Sequence, residues 1–136
     1  MITDPNNPLD WLLLAQDRLE KADALFSQFG ASWSGVELLH EAIERYLKGY
    51  LVHKGWALVK THDLGLLVAQ ATRFDPQFVG FAETSQILTE QFWEQHYPGG
   101  DLAEVGQDYP ALRQSLGAMI TLIKVTVTPP APGEVA

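Results

Sequence analysis

The chain has 136 residues, 46% of them hydrophobic, which is about one domain and enough to bury a core without covalent staples. It has no cysteine, which excludes disulfides, thiolate metal sites and a cysteine nucleophile, and nine Lys and Arg against seventeen Asp and Glu give a formal net charge of −8 that repels nucleic-acid phosphates. The N-terminus carries an acid where a leader would be basic, and no apolar run approaches the roughly 20 residues that span a bilayer, so a soluble, cytoplasmic protein with no membrane contact is expected.

Asn7 suits the N-cap of a first helix, with Pro8 at the first helical position, where its missing N–H costs nothing. Leu12, Ala15, Leu19, Ala22, Phe26 and Phe29 then recur on one face, and Gly30 stops the run. Ser34 followed by Glu37 has the spacing of a capping box, so the second helix is predicted from there to near Gly55. Val36, Leu39, Ile43, Tyr46, Leu47 and Tyr50 form its buried stripe, and Glu41, Glu44, Arg45 and Lys48 are expected to face solvent.

After a short apolar link, Thr61 is expected to cap a short third helix with His62 just inside it, Asp63 in its first turn, and Leu64, Leu67 and Val68 buried. Asp75 and Pro76 punctuate the chain again, and Phe78, Phe81, Ser85, Leu88 and Phe92 mark a fourth helix ending before the Pro98-Gly99-Gly100 loop. Asp108 is the expected cap of a fifth helix, with Pro110 in its first turn and Leu112, Leu116, Met119, Ile123 and Val127 as its stripe. The β-branched run over 120–128 favours a strand, but no other segment offers a partner, so helix prevails.

These elements predict an all-α protein, an antiparallel up-and-down four-helix bundle with an additional short helix. Residues 1–128 form its single domain, and the Pro- and Gly-rich residues 129–136 form a disordered tail. Trp11, Phe26, Phe29, Trp33, Phe78, Phe81, Phe92 and Trp93 are expected to fill most of the core. More large apolar side chains are present than such seams need, which points to an exposed patch and a homodimer.

The order of a Trp early in helix one, AIERYLKGYL on helix two, the THDL turn and an aromatic-rich helix ending in HYPGG resembles the HEPN domain over about residues 9–127. Glu44 and Lys48 match the family's second-helix pattern in type, and Thr61, His62, Asp63 and Leu64 match its THDL. The resemblance implies a nucleotide-binding helical bundle that works beside a separate small nucleotidyltransferase, as a toxin–antitoxin or nucleotide-recognising pair. Members often read Arg-Tyr-Pro where this chain has His96-Tyr97-Pro98, which puts an imidazole in place of a fixed cation.

Active members are metal-independent ribonucleases with an Arg followed, after four to six residues, by a His, and this chain has no such pair. Arg45 precedes His53 by seven intervening residues, and Gln91 stands where an Arg would pair with His96. Lys48 precedes His53 with four between, but an ammonium lacks the bidentate fork that grips a phosphate.

The ligand-binding candidates are therefore Glu44, Lys48, His62, Asp63, His96 and Tyr97, with no catalytic residue, metal or cofactor expected. Glu44, His62 and Tyr97 are expected to converge in one polar pocket. Glu41 with Arg45 and Glu44 with Lys48 also suit ordinary helix-surface ion pairs worth a few tenths of a kcal/mol. Glu37-x-x-His40 has the spacing of a di-iron ligand pair, but no second copy accompanies it. The functional expectation is a HEPN-like binding or accessory module. The alternative is a metal-independent ribonuclease using His53, His62 or His96 with Lys48 or Arg45.

Overall fold

A computed structural model describes residues 2–57, 60–94, 98–100 and 102–128, with no account of the side chains of 102–105 and 107. The expected roles of His96 and Tyr97 and the expected tail at 129–136 lie outside the described residues. The architecture is all-helical: α1 (Pro8–Phe29), α2 (Trp33–His53), α3 (Leu64–Phe74), a 3₁₀ turn (Pro76–Phe81), α4 (Ala82–Glu94) and α5 (Leu102–Val127).

The Asn7 side chain accepts from the Leu9 N–H, Pro8 opens α1, and Gly30 closes it at a φ of 75° that side-chain-bearing residues rarely adopt. The second helix starts earlier than its sequence suggests. Ser32, not Ser34, is the cap, its hydroxyl accepting from the Gly35 N–H at 3.0 Å. Tertiary packing selects it, because a Cβ on Gly35 would lie 2.7 Å from Phe26 Cε2, so the start of α2 is pressed against the end of α1. At the other end, a Cβ on Gly49 would lie 2.6 Å from Leu12 Cδ1 and 3.2 Å from the Pro8 carbonyl oxygen. Gly35, Ala42 and Gly49, one heptad apart, thus form a narrow seam along which α1 and α2 run antiparallel.

Contacts elsewhere complete the up-and-down order. Tyr50 meets Phe78 of the 3₁₀ turn and His40 stacks on Phe92 of α4, so the chain from the turn through α4 runs against α2. Thr84 bonds Ser115 and Gln91 bonds Asp108, so α5 runs against α4. Asp23 bonds Arg113 and Gln16 bonds Lys124, which closes the bundle between α1 and α5.

The predicted stripes of α2 and α5 are buried, and so are Leu12, Ala15, Leu19 and Ala22 of α1. Each such leucine or isoleucine contributes about 1.5–3 kcal/mol relative to exposure. The aromatics behave differently from expectation. Of the eight expected in the core, Phe78 alone is fully buried, whereas Phe29 and Trp93 are 67% and 53% exposed. Phe29 is the last residue of α1 and Trp93 lies one residue before the end of α4, so both stand at helix ends, while the Phe26 ring packs against Gly35.

Two further helix starts differ. Asp63 caps α3, its carboxylate accepting from the Leu66 N–H at 3.2 Å, while Thr61 accepts from the Asp63 N–H. The carboxylate complements the positive helix start better than a hydroxyl does. The last helix begins at Leu102 rather than at an Asp108 cap, and Pro110 sits inside it. Side-chain contacts hold that turn: Tyr109 stacks on Phe26 at 3.5 Å, and Asp108 accepts from the buried Gln91 amide at 3.3 Å. They override the local tendency of proline to end a helix.

Candidate functional site

The central helix α2 touches α1, α3, α4 and α5, and between His40 and Leu51 only Glu41 and Arg45 are partly exposed. Glu44 and Lys48 were expected in solvent. Both are 6% exposed, because α2 is covered on nearly all sides. A sign of this lies in the sequence: Ala42, Ile43, Tyr46, Leu47, Gly49, Tyr50 and Leu51 go around the helix instead of keeping to one stripe.

The pair is a buried salt bridge, with Lys48 Nζ donating to Glu44 Oε2 at 3.0 Å. The second oxygen, Glu44 Oε1, lies 2.7 Å from His62 Nδ1. An ionised carboxylate only accepts, so Nδ1 carries the proton, and the His62 side chain is otherwise largely exposed at 72%. Burial opposes the charged carboxylate, but the hydrogen bonds from His62 and Lys48 outweigh it and hold the Glu44 pKa below its ordinary value. Lys48 Nζ also lies 5.8 Å from the centroid of the Trp11 ring, an additional cation–π contact. Trp11 is itself fixed by its indole N–H, which donates to the Pro5 carbonyl at 2.8 Å.

His62 stands before the α3 cap and not inside that helix, so its ring is bound to a carboxylate instead of guarding a vacant helix start. Asp63 spends a carboxylate oxygen on the Leu66 N–H. Of the expected pocket, the structure brings Glu44, Lys48 and His62 together, leaves Asp63 as a cap, and describes neither His96 nor Tyr97.

One turn before Glu44, His40 is 1% exposed and stacks on Phe92 at 4.1 Å, and its Nε2 has no hydrogen-bond partner. Desolvation lowers its pKa to about 4, so the ring is neutral near pH 7. The sequence alone suggests His40 as a metal-ligand candidate and gives no sign of its burial. Glu37, His40, Glu41 and Glu44 line a cavity of about 110 Å³, closed by Arg45, His62 and Phe92. Among the described residues, no group of three or more His, Asp or Glu is placed to hold a metal ion.

The partly exposed charges have partners too. Arg18 Nε donates to Glu41 Oε2 at 3.0 Å, and Arg45 Nη1 donates to the Glu41 backbone carbonyl at 3.1 Å. Between α1 and α5, Arg113 grips both oxygens of Asp23 at 2.8 and 2.9 Å, and Tyr109 donates to Oδ1 at 3.2 Å. The hydrogen bonds from Arg113 lower the Asp23 pKa, and burial raises that of Tyr109 to about 12.

A buried Glu–Lys pair on the second helix, locked to the histidine of a THDL turn, unites the two segments that carry the family resemblance, and the HEPN domain model matches residues 9–124. The chain belongs to the HEPN domain family. No curated protein and no solved structure matches it. Membership supports a nucleotide-binding or ribonuclease-like module at the level of the family. In this HEPN chain the Glu44 carboxylate has both oxygens engaged, so its evident work is to tie the turn before α3 to α2. Gln91, at the position where an Arg would pair with His96, is committed to Asp108. No helix among the described residues is long and apolar enough to cross a membrane.

Proposed function

We propose that this HEPN domain is a non-catalytic accessory module that works beside a separate polypeptide, in keeping with its family a small nucleotidyltransferase, in a toxin–antitoxin or nucleotide-recognising pair. One observation carries it: the cations of α2 are already spent. Lys48 is buried against Glu44, and Arg45 is turned back on Glu41. A ribonuclease needs a fixed cation on the scissile phosphate, and withdrawing Lys48 would leave Glu44 buried with less compensation. Nucleotide contact then falls to the partner or to a joint surface.

A second copy is part of the proposal. Leu9 and Leu13, one turn apart on α1, are 48% and 49% exposed, an apolar face suited to a symmetric contact. Co-expression with a nucleotidyltransferase encoded beside this chain should give a co-eluting complex. Purified protein should leave varied RNAs intact in chelator and run as a dimer in light scattering. Metal-free RNA cleavage lost on His62→Ala, or nucleotide binding by the isolated chain lost on Lys48→Met, would overturn the proposal.

A further inference from the structure

The cations of the chain divide into two groups. Arg18, Lys21, Arg45, Lys48 and Arg113 each face a carboxylate on α1 or α2, and Lys124 donates to Gln16. The side chains of Lys54, Lys60 and Arg73 are exposed and have neither a carboxylate nor another hydrogen-bond partner among the described residues. All three lie between the C-cap of α2 and the end of α3. The acids within and just after that stretch are committed, Asp63 to the Leu66 N–H and Asp75 to the Gln77 N–H and side-chain amide. Positive charge is therefore left over here, on a chain whose net charge is −8.

The same stretch exposes carbon. Helix α3 contains no acid, and with Leu64, Leu67, Val68 and Ala71 buried it turns Leu66 and Arg73 outward on one face about two turns apart. Phe74 ends the helix exposed, and Val79 stands exposed in the 3₁₀ turn that follows. Lys54 joins them from the end of α2. Its Nζ lies 5.7 Å from the centroid of the Tyr50 ring, which meets the ring of Phe78, the neighbour of Val79, at 4.6 Å. Exposed apolar side chains beside uncommitted charge mark a contact surface.

We infer that the outer face of α3 and the 3₁₀ turn dock an acidic segment of a partner protein, whose carboxylates pair with Lys54, Lys60 and Arg73 and whose apolar side chains cover Leu66, Phe74 and Val79. Charge complementarity selects that occupant. Two copies of this chain meeting here symmetrically would bring the same three cations together. A nucleic acid would answer the cations but not the exposed carbon, and the rest of the surface repels phosphates. The face is distinct from Leu9 and Leu13, since α1 and α3 do not pack against each other.

The test is a titration of the ¹⁵N-labelled full chain with a capped amphipathic peptide of leucine and glutamate, read on the backbone amides. Matching peptides with glutamine or lysine in place of glutamate vary the charge at constant leucine content. Saturable shifts centred on the amides of α3 and the 3₁₀ turn are expected with the glutamate peptide, weaker ones with glutamine and none with lysine. Arg73→Glu should weaken the glutamate peptide about tenfold, since it turns a charge-assisted bond into a repulsion. Lys21→Glu, on α1, should leave the affinity unchanged.

Absence of saturable shifts, shifts centred elsewhere, equal binding of the lysine peptide, unchanged affinity in Arg73→Glu or an equal loss in Lys21→Glu would overturn the inference. So would tighter binding of an oligothymidylate than of the glutamate peptide, which assigns the face to nucleic acid. Movement of the α3 amides when the chain alone is concentrated would overturn it too, by assigning the face to a second copy. No nucleotidyltransferase enters the titration, so its outcome is separate from that of the accessory-module proposal.

Discussion

Glu44–Lys48 on α2 and Asp23–Arg113 between α1 and α5 bring together the same formal charges at 3.0 and 2.8 Å, but in different surroundings. The side chains of the first pair are 8% and 7% exposed, those of the second 42% and 28%. Coulomb attraction is stronger away from water, yet desolvation rises with it. The inner pair is therefore costly to break and of little net gain as a whole, whereas the outer pair is a modest clamp that water partly replaces. The difference explains how a surface-like sequence pattern becomes a centre that positions His62.

The largest test removes one member of the inner pair. Glu44→Ala should cost about 3–5 kcal/mol in urea unfolding, the penalty of an uncompensated buried ammonium. Glu44→Leu combined with Lys48→Met should recover most of it, because the pair as a whole contributes little. A single-mutant loss below about 1 kcal/mol would mean that the inner pair is as well solvated as the outer one.

Acid comes next. The pKa of His40 is about 4 in the folded chain, below the ordinary 6.5, so the unfolded chain takes up its proton first. Stability is full above pH ~6.5 and declines as pH falls toward 4, by roughly 3 kcal/mol at most. Glu44, whose pKa is also depressed, adds to the loss below its ordinary value of 4.5. His40→Phe should flatten the upper part of the profile, and a profile identical to the parent's would show that His40 is not the group responsible.

Gly49→Ala sharpens the contrast sterically. The added methyl would meet Leu12, the Trp11 Cβ and the Pro8 carbonyl, and should cost about 1–3 kcal/mol while displacing Trp11 from Lys48. Thermal unfolding measures the cost, and tryptophan fluorescence should move with it. The smallest effect belongs to the outer pair: Asp23→Asn should cost no more than about 1 kcal/mol, a difference that added salt reduces. A cost matching that of Glu44→Ala would erase the distinction between the two regions.

Local signals in the sequence were legible where short-range physics governs. Asn7 and Pro8 open α1 and Gly30 closes it as their local chemistry demands, and the stripes of α2 and α5 are buried at their predicted positions. Ser32, Asp63 and the start of α5 were misplaced because neighbouring elements chose among several adequate caps, or held a proline-containing turn in place. The rings of Phe29 and Trp93, expected in the core, stand exposed at the ends of α1 and α4, a position that the aromatic residues by themselves do not reveal.

The amino-acid order alone determined the helices, their apolar faces and membership of the HEPN family, since periodicity and motif order are properties of the chain itself. Only the packed structure decided that Glu44 and Lys48 lie inside, that His62 closes on Glu44, and that His40 keeps an unpaired nitrogen. Burial of a charge depends on how many neighbours surround a helix, and that number belongs to the assembled bundle and not to any one segment of it.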